Sequence, residues 1–280
     1  MRLLGEGRTS RVYLAEHTLL GTWRAVKLLG TQPASDPQRV RRFIHEACVA
    51  ARLHHRNTIG VHDVGQGPDG SWFMVLDHLE GEALARHLAG HVARAAGPLP
   101  AATVARIVTE IAEGLTVAHE HGILHCDLRP EKVFLIEREG AALRAVLLGF
   151  GMAQLQLGQD PDARAEVHGG LAMEAPAHLS PEQLRGGAVT PATDIFALGV
   201  VAYRMVTGGW FPYQGDESGD AYGALPAGEI YARQMTQRAI DPRARCAGIG
   251  EPAARLILAA LDVEPTARPA SPHRFAQQLA

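Results

Sequence analysis

Residues 125–132, which read HCDLRPEK, and residues 149–151, which read GFG, decide the fold of this chain. The first segment carries one carboxylate, Asp127, followed closely by two cationic side chains, Arg129 and Lys132. It comes directly after residues 102–121, where apolar side chains recur along one stripe and predict a long amphipathic helix. The chemistry that these two segments can support therefore depends on the other motifs of the chain.

Further motifs lie on both sides of these two segments, and their order is informative. They are residues 5–12 (GEGRTSRV), residues 25–27 (AVK), Glu46, residues 180–182 (SPE), residues 193–199 (TDIFALG) and residues 268–269 (RP). In order and spacing, the whole set resembles the motifs of the protein kinase family. The resemblance covers nearly the whole chain, whereas a single glycine-rich loop would be weak support.

The resemblance implies the two-lobed protein kinase fold, of class α+β. We expect a small lobe of antiparallel sheet plus one helix over residues 1–77, a hinge at 78–82 and a mainly helical lobe over 83–280. The local patterns agree with strands at 11–16, 23–29, 59–65 and 71–76. Asp36 and Pro37 have the pattern of an N-cap and a first-turn proline. Residues 195–206 predict a buried helix, and residues 212–228, rich in glycine and acidic residues, predict a loop.

Composition limits the classes of partner and the compartment. The 280 residues are 46% hydrophobic and carry a net charge of only -3, which opposes a nucleic-acid or membrane-surface partner bound by bulk charge. No apolar run is long enough to span a bilayer. The cysteines, Cys48, Cys126 and Cys246, are scattered, as expected for reduced thiols in a cytoplasmic protein.

The metal site departs from the family pattern at both ligand positions. The resemblance implies an aspartate at position 149 and an asparagine at position 132, which together hold magnesium on ATP. Gly149 offers no side-chain oxygen and Lys132 offers a positive charge, whereas magnesium requires hard oxygen ligands. We therefore expect ATP, if it binds, to bind without magnesium. Asp160, Asp162 and Glu166 are better interpreted as a solvated acidic cluster than as replacement ligands.

The remaining site residues are carried over from the resemblance. The nucleotide would contact Gly5, Gly7, Val12, Ala25, Lys27, Glu46, Asp77, Leu79 and Lys132. Ser10 replaces the third loop glycine. Lys27 and Glu46 allow two interpretations, a salt bridge that only fixes the helix or a phosphate-binding pair. Of the 27 lysine and arginine residues only Lys27 and Lys132 are lysines, which favours the phosphate-binding role.

The catalytic positions are partly retained. Asp127 stands where the family has the residue that accepts the substrate hydroxyl proton, and it can equally serve to hydrogen-bond backbone N–H groups. Arg129 replaces the usual lysine, keeping its charge but not its shape. Cys126 replaces an arginine that binds an activation-loop phosphate, and residues 151–179 contain no serine, threonine or tyrosine. Ala175 replaces a threonine that contacts the catalytic aspartate. These features point toward loss of phosphoryl transfer.

Other motifs have structural roles in the family. The resemblance implies that His125 and Phe150 stack in the core and that Asp194 caps the backbone of the catalytic loop. It also implies a buried ion pair between Glu182 and Arg268.

Three classes of function remain open. The first is a pseudokinase, a nucleotide-binding or scaffolding module that engages a protein partner. The second is an active, atypical Ser/Thr protein kinase that transfers the ATP γ-phosphate to protein hydroxyls. The third is a purely structural domain that binds no nucleotide. The missing metal ligands oppose the second class, and the retained Lys27, Glu46 and Asp127 oppose the third.

Overall fold

The structure, a computed structural model, describes residues 1–7, 9–30, 36–94, 97–138, 141–150 and 175–279. Its first part is an antiparallel sheet with strand order β1-β2-β3-β5-β4. The strands are β1 (Arg2–Glu6), β2 (Ser10–Glu16), β3 (Trp23–Leu29), β4 (Val61–Gln66) and β5 (Trp72–Asp77). The predicted strands are confirmed, with β4 beginning two residues later than expected. Ile59 is not in the strand because its N–H donates to the Leu147 carbonyl, 3.0 Å away.

One helix, α1 (Pro37–Ala50), covers this sheet. The predicted N-cap is confirmed, since the Asp36 side chain accepts a hydrogen bond from the Gln38 N–H and the proline occupies the first turn. The buried face of the helix places Phe43 and Ala47 against the sheet residues Leu29 and Met74. This packing fixes which side of α1 faces β3.

The second part of the chain is mainly helical and carries a small antiparallel sheet of order β6-β7-β8. Its strands and helices are β6 (Gly81–Ala83), α2 (Leu84–Ala93), α3 (Ala101–Glu120), β7 (Val133–Arg138), β8 (Ala141–Leu147), α4 (Pro181–Leu184), α5 (Pro191–Thr207), α6 (Gly219–Gly223), α7 (Ala227–Thr236), α8 (Glu251–Ala260) and α9 (Pro272–Leu279). The predicted amphipathic helix is α3 and the predicted buried helix is α5. Helix α5 is buried along almost its whole length and contacts α3, α8 and α9.

The loop prediction for residues 212–228 is wrong in its second half. Helix α6 lies inside that stretch and α7 begins there. The Ser218 side chain caps α6 by accepting from the Ala221 N–H, and the fully buried Tyr222 anchors the helix against Phe211. Glycines at both ends of this short helix obscure its pattern in the sequence.

Two connections brace the molecule. Arg268 donates to both oxygens of Glu182, at 2.8 and 2.9 Å, which confirms the predicted ion pair and joins α4 to the segment before α9. The Asn57 carbonyl accepts from the Leu147 N–H at 2.8 Å, which ties the chain leading into β4 to the end of β8. Along the described ranges, no helix is long and apolar enough to cross a membrane.

Candidate functional site

One buried carboxylate on α5 accepts hydrogen bonds from the backbone of the loop over residues 125–132. Asp194 is fully buried and accepts from the backbone N–H groups of His125 at 2.9 Å and Cys126 at 2.8 Å. His119 Nε2 on α3 lies 2.8 Å from the same carboxylate. Burial alone raises the pKa of Asp194, but the hydrogen bond and charge of His119 outweigh it, so this pKa lies below its usual value. The predicted capping role is confirmed.

Cys126 is the strained residue of this loop. It is the one non-glycine residue with positive φ along the described ranges, at 56°, where a side chain costs conformational energy. The two N–H bonds to Asp194 described above and a bond from Gln183 Nε2 to the Cys126 carbonyl, at 2.8 Å, hold it there. Burial raises the pKa of its thiol well above the usual value, so the thiol is an inert neutral group.

His125 connects the loop to the segment that contains Gly149. Its ring lies 4.7 Å from the ring of Phe150, which confirms the predicted stacking. Its Nε2 lies 3.1 Å from the carbonyl of Leu148 and must donate to it, so Nδ1 is the acceptor for the Asp127 N–H at 3.3 Å. Burial lowers the pKa of His125, in agreement with this neutral tautomer.

Both carboxylate oxygens of Asp127 face a cation. Arg129 Nε lies 3.2 Å from Oδ1, and Lys132 Nζ lies 3.5 Å from Oδ2. The Asp127 side chain is 29% exposed, so its charge is offset by its neighbours while water still reaches it. Arg129 also approaches Glu131 at 3.8 Å.

Gly149 lies under the Lys132 side chain. Its φ is +78°, and a Cβ atom added there would come 3.0 Å from Lys132 Nζ. The Leu148 N–H donates to the Lys132 carbonyl at 2.8 Å and joins the two segments, while the Lys132 N–H donates to the Arg129 carbonyl within the loop, also at 2.8 Å. The ammonium group therefore occupies the space between Asp127 and the missing side chain of residue 149.

The first sheet contributes a second charged pair. Lys27 on β3 donates to both oxygens of Glu46 on α1, each at 2.9 Å, so the predicted pairing is confirmed. The two side chains are 21% and 22% exposed. Lys27 Nζ also lies 5.6 Å from the ring centre of Phe43, which supports the cation from the helix side.

The other predicted nucleotide contacts lie on the same sheet and its exit. Gly5 is within β1, and the Gly7 N–H donates to the Ser10 carbonyl across the loop at 2.8 Å. In the strand register Val12 pairs with Lys27, and the buried Ala25 pairs with Leu76. Arg8 and Gly151 lie outside the described residues, as do Asp160, Asp162 and Glu166.

Asp77 and Leu79 have packing partners that the sequence did not indicate. The Asp77 carboxylate accepts from the Gly60 N–H at 3.1 Å and lies 2.7 Å from His62 Nε2, so it is turned toward β4. Leu79 packs on a small apolar cluster that includes Ile59. Their predicted contacts with a nucleotide would have to come from the backbone of Asp77 and the remaining exposed face of Leu79.

The side chains present do not fit magnesium. The position that should supply a carboxylate is a glycine, and the position that should supply an amide carries an ammonium group. Within the described ranges, no group of three or more acidic, histidine or cysteine side chains is arranged to hold another metal ion.

A cleft beside the loop was missed at the sequence level. It has a volume of about 930 Å³ and lies between α2, the loop, and α6, with Arg129 in its wall. Arg204 on α5 and His178 also line it. An arginine inside the nearly apolar run 195–206 was the one pattern in the sequence that could have indicated it.

Comparison with known proteins places these features in one family. The family described as "Protein kinase domain" matches residues 1–279. The serine/threonine-protein kinase pkn3 of Myxococcus xanthus is 33% identical over 279 residues, which are 99% of this chain and 48% of the relative. PrkC of Bacillus subtilis is 31% identical over 218 residues, 78% of this chain and 31% of the relative. The chain thus spans half or less of the length of these curated relatives.

A solved structure supports the same fold. The crystal structure of the Mycobacterium tuberculosis PknI kinase domain superposes with a TM-score of 0.70 at 27% identity. The match covers 99% of this chain and 93% of that one.

Proposed function

Because this chain belongs to the protein kinase family, we propose that it is a pseudokinase, a domain that binds ATP without magnesium and engages a protein partner in the cytoplasm. The family implies use of ATP, and the relatives are named serine/threonine kinases. What distinguishes this chain is the chemistry of its metal position.

One observation carries the proposal. The Lys132 ammonium lies 3.5 Å from Asp127 and 3.0 Å from the place of a Cβ atom on residue 149. It brings a permanent positive charge to the place where the family has the ligands of a divalent cation. An ammonium group can pair with a phosphate as a point charge, so a nucleotide could be held there without metal.

Transfer of the phosphoryl group needs more than charge. It requires the phosphate oxygens and the attacking hydroxyl to be aligned, and each lost preorganised contact typically costs roughly 10²–10³ in rate. A lysine side chain is flexible and does not impose the octahedral geometry of magnesium. Both oxygens of Asp127 also face cations already, at 3.2 and 3.5 Å, and a substrate hydroxyl would have to compete with them.

A thermal-shift titration tests the proposal. ATP in EDTA should stabilise the protein at least as much as ATP in magnesium, because neither of the two ligand positions supplies a side-chain oxygen to the metal. A hundredfold excess of ATP over its dissociation constant would add about 2.7 kcal/mol. Stabilisation that strictly requires magnesium would contradict the proposal. No stabilisation in either buffer would favour the purely structural domain.

A second candidate is an active serine/threonine kinase. It is favoured by the Lys27–Glu46 pair, with both contacts at 2.9 Å, and by the retained Asp127. Transfer of labelled γ-phosphate to a generic protein acceptor, abolished in Asp127→Ala, would establish this candidate in place of the pseudokinase.

A further inference from the structure

The cleft beside the catalytic loop has an unusual charge arrangement at its base. Arg204 projects from the buried helix α5, and its guanidinium carbon lies 4.2 Å from the ring centre of Phe211. Its Nε lies 3.3 Å from the Gly209 carbonyl. Within the described ranges no carboxylate lies at ion-pair distance from Arg204, and Glu131 and Asp220 act on its charge only from farther away. A largely buried cation without a counter-ion is costly, so an anion that entered the cleft would be stabilised.

His178 supplies an unused donor beside the same cleft. It is 6% exposed, and Arg204 Nη1 lies 3.2 Å from its Nε2. A guanidinium group only donates, so Nε2 accepts and the proton of the neutral ring is on Nδ1. That Nδ1 is buried and has no hydrogen-bond partner among the described residues. The His178 Nδ1–H therefore has no acceptor among the described residues, beside a cleft that Arg204 also lines.

The carboxylates near the cleft are at its rim. Glu131 is 47% exposed and its charge is partly offset by Arg129 at 3.8 Å. Asp220 is exposed on α6. Solvent screens exposed charges much more than buried ones, so the base of the cleft attracts anions more strongly than the rim repels them.

The size and walls of the cleft favour a polypeptide over a free ion. Its volume of about 930 Å³ is far larger than one anion needs. Leu88, Val92, Trp210 and Phe211 give it apolar walls suited to neighbouring side chains of a peptide. Arg129 lines the cleft and pairs with Asp127, so a segment bound here passes beside the catalytic loop.

We propose that this cleft binds an acidic or phosphorylated segment of a protein partner, whose anionic group pairs with Arg204 and His178. The inference rests on the proposed function, since it names the chemistry of the partner that the domain engages. It does not require nucleotide binding.

Labelled peptides of equal length test the inference in the absence of nucleotide. One peptide is rich in glutamate, one replaces the glutamates by glutamine, one by lysine, and one carries a single phosphoserine in the glutamine background. Fluorescence anisotropy should show the glutamate or phosphoserine peptide binding at least about tenfold more tightly than the glutamine peptide, as expected for a charge-assisted hydrogen bond. Comparing those two peptides distinguishes a carboxylate from a phosphate as the preferred group.

Point variants test whether Arg204 is responsible for the preference for anionic peptides. Arg204→Met should weaken the anionic peptide by about tenfold or more, whereas Arg255→Met, on α8 and 71% exposed, removes the same charge elsewhere and should leave the affinity unchanged. Asp220→Asn, at an exposed rim position, should tighten binding, and it tests the site even if Arg204→Met fails to fold. Equal affinity for the glutamate and glutamine peptides, a preference for lysine, no binding at all, or equal behaviour of the two arginine variants would each overturn the inference.

These outcomes are separable from those of the nucleotide experiment. A domain that binds the acidic peptide but not ATP would retain the inference and lose the proposed nucleotide role. A domain that binds ATP in EDTA but shows no anionic preference would lose only the inference.

Discussion

At the scale of single residues, the departures from the family pattern at Lys132 and Gly149 depend on each other. The lysine side chain extends over the glycine, and the glycine has a positive φ of 78°. Aspartate tolerates the left-handed region better than most residues, so an aspartate at position 149 costs less backbone strain than most other side chains would. The group that obstructs it is the mobile end of Lys132, at 3.0 Å from the would-be Cβ.

Restoring both family residues should therefore restore magnesium binding in a strongly non-additive way. Gly149→Asp alone places a carboxylate beside an ammonium that pairs with it. Lys132→Asn alone removes the cation but leaves no carboxylate. Calorimetric titration of Mg-ATP into the wild type, both single variants and the double variant should show a large gain only in the double variant.

The backbone cost of the new aspartate needs its own control. Gly21→Asp introduces the same residue at a positive φ of 62° with nothing within 4 Å of its Cβ, and it should not affect Mg-ATP. Additive effects of the two site substitutions would contradict the proposed competition. If the double variant binds Mg-ATP and still transfers no phosphate, Ala175 and Arg129 are the next positions to restore.

At the scale of elements, the Glu182–Arg268 pair joins α4 to the segment before α9. The Arg268 side chain is fully buried and Glu182 is 2% exposed, and Thr193 Oγ1 donates to Glu182 as well. Burial alone raises the pKa of Glu182, but the hydrogen bonds and charge of Arg268 bring it below its usual value. The pair therefore stays ionised inside the protein.

Breaking the pair from one side should be costly. Glu182→Gln or Arg268→Met alone leaves a buried, unmatched charge or acceptor and should lower the free energy of unfolding by about 3–5 kcal/mol. The double variant should lose less than the sum of the two. Denaturant unfolding of this cycle is compared with Glu251→Gln and Arg255→Met, an exposed pair worth about 0–1 kcal/mol. Equal losses in the two cycles would show that burial does not strengthen the connection.

Elements with strong periodicity were predictable from sequence, and those set by distant partners were not. Helices α3 and α5 and the cap of α1 follow from local pattern. The start of β4 depends on Leu147, far along the chain, and α6 depends on the burial of Tyr222 against Phe211. At the candidate site the contacts of Asp194 and Glu46 were predictable, because the family motifs imply them.

The cleft beside the catalytic loop and the Asp77 contacts could not be found in the same way. Asp77 meets His62 only after β4 and β5 pair, and Arg204 meets His178 only after α5 packs. Neither partner is at a spacing that a local pattern would reveal.

At the scale of the whole molecule, buried neutral histidines couple stability to pH. Burial lowers the pKa of His125 and, together with Arg204 and Arg129, lowers the pKa of His178 well below the usual 6.5. Desolvation likewise lowers the pKa of His45, and together with His87 and Arg94 it lowers the pKa of His91. The unfolded chain therefore binds more protons than the folded protein below pH 6.5.

Stability should then be fully present above pH 6.5 and fall as the pH decreases toward 5. Each of the buried histidines His125 and His178 that stays neutral in the fold contributes a slope of about 1.4 kcal/mol per pH unit. Urea unfolding at several pH values measures the slope. His178→Gln should reduce the slope by about 1.4 kcal/mol per pH unit, the contribution of one proton. His273→Gln, at an exposed position, should leave the slope unchanged.

The depressed pKa values of Asp194 and Glu182 act in a lower window. Their contribution is present above the unfolded values of 3.8 and 4.5 and is lost as the pH falls through the still lower folded values. The histidine slope can therefore be measured above pH 5 without interference from these carboxylates. A free energy of unfolding that is constant between pH 7 and 5 would mean that the histidines are protonated inside the fold. The neutral tautomer of His178, and with it the unpartnered donor in the cleft, would then be wrong.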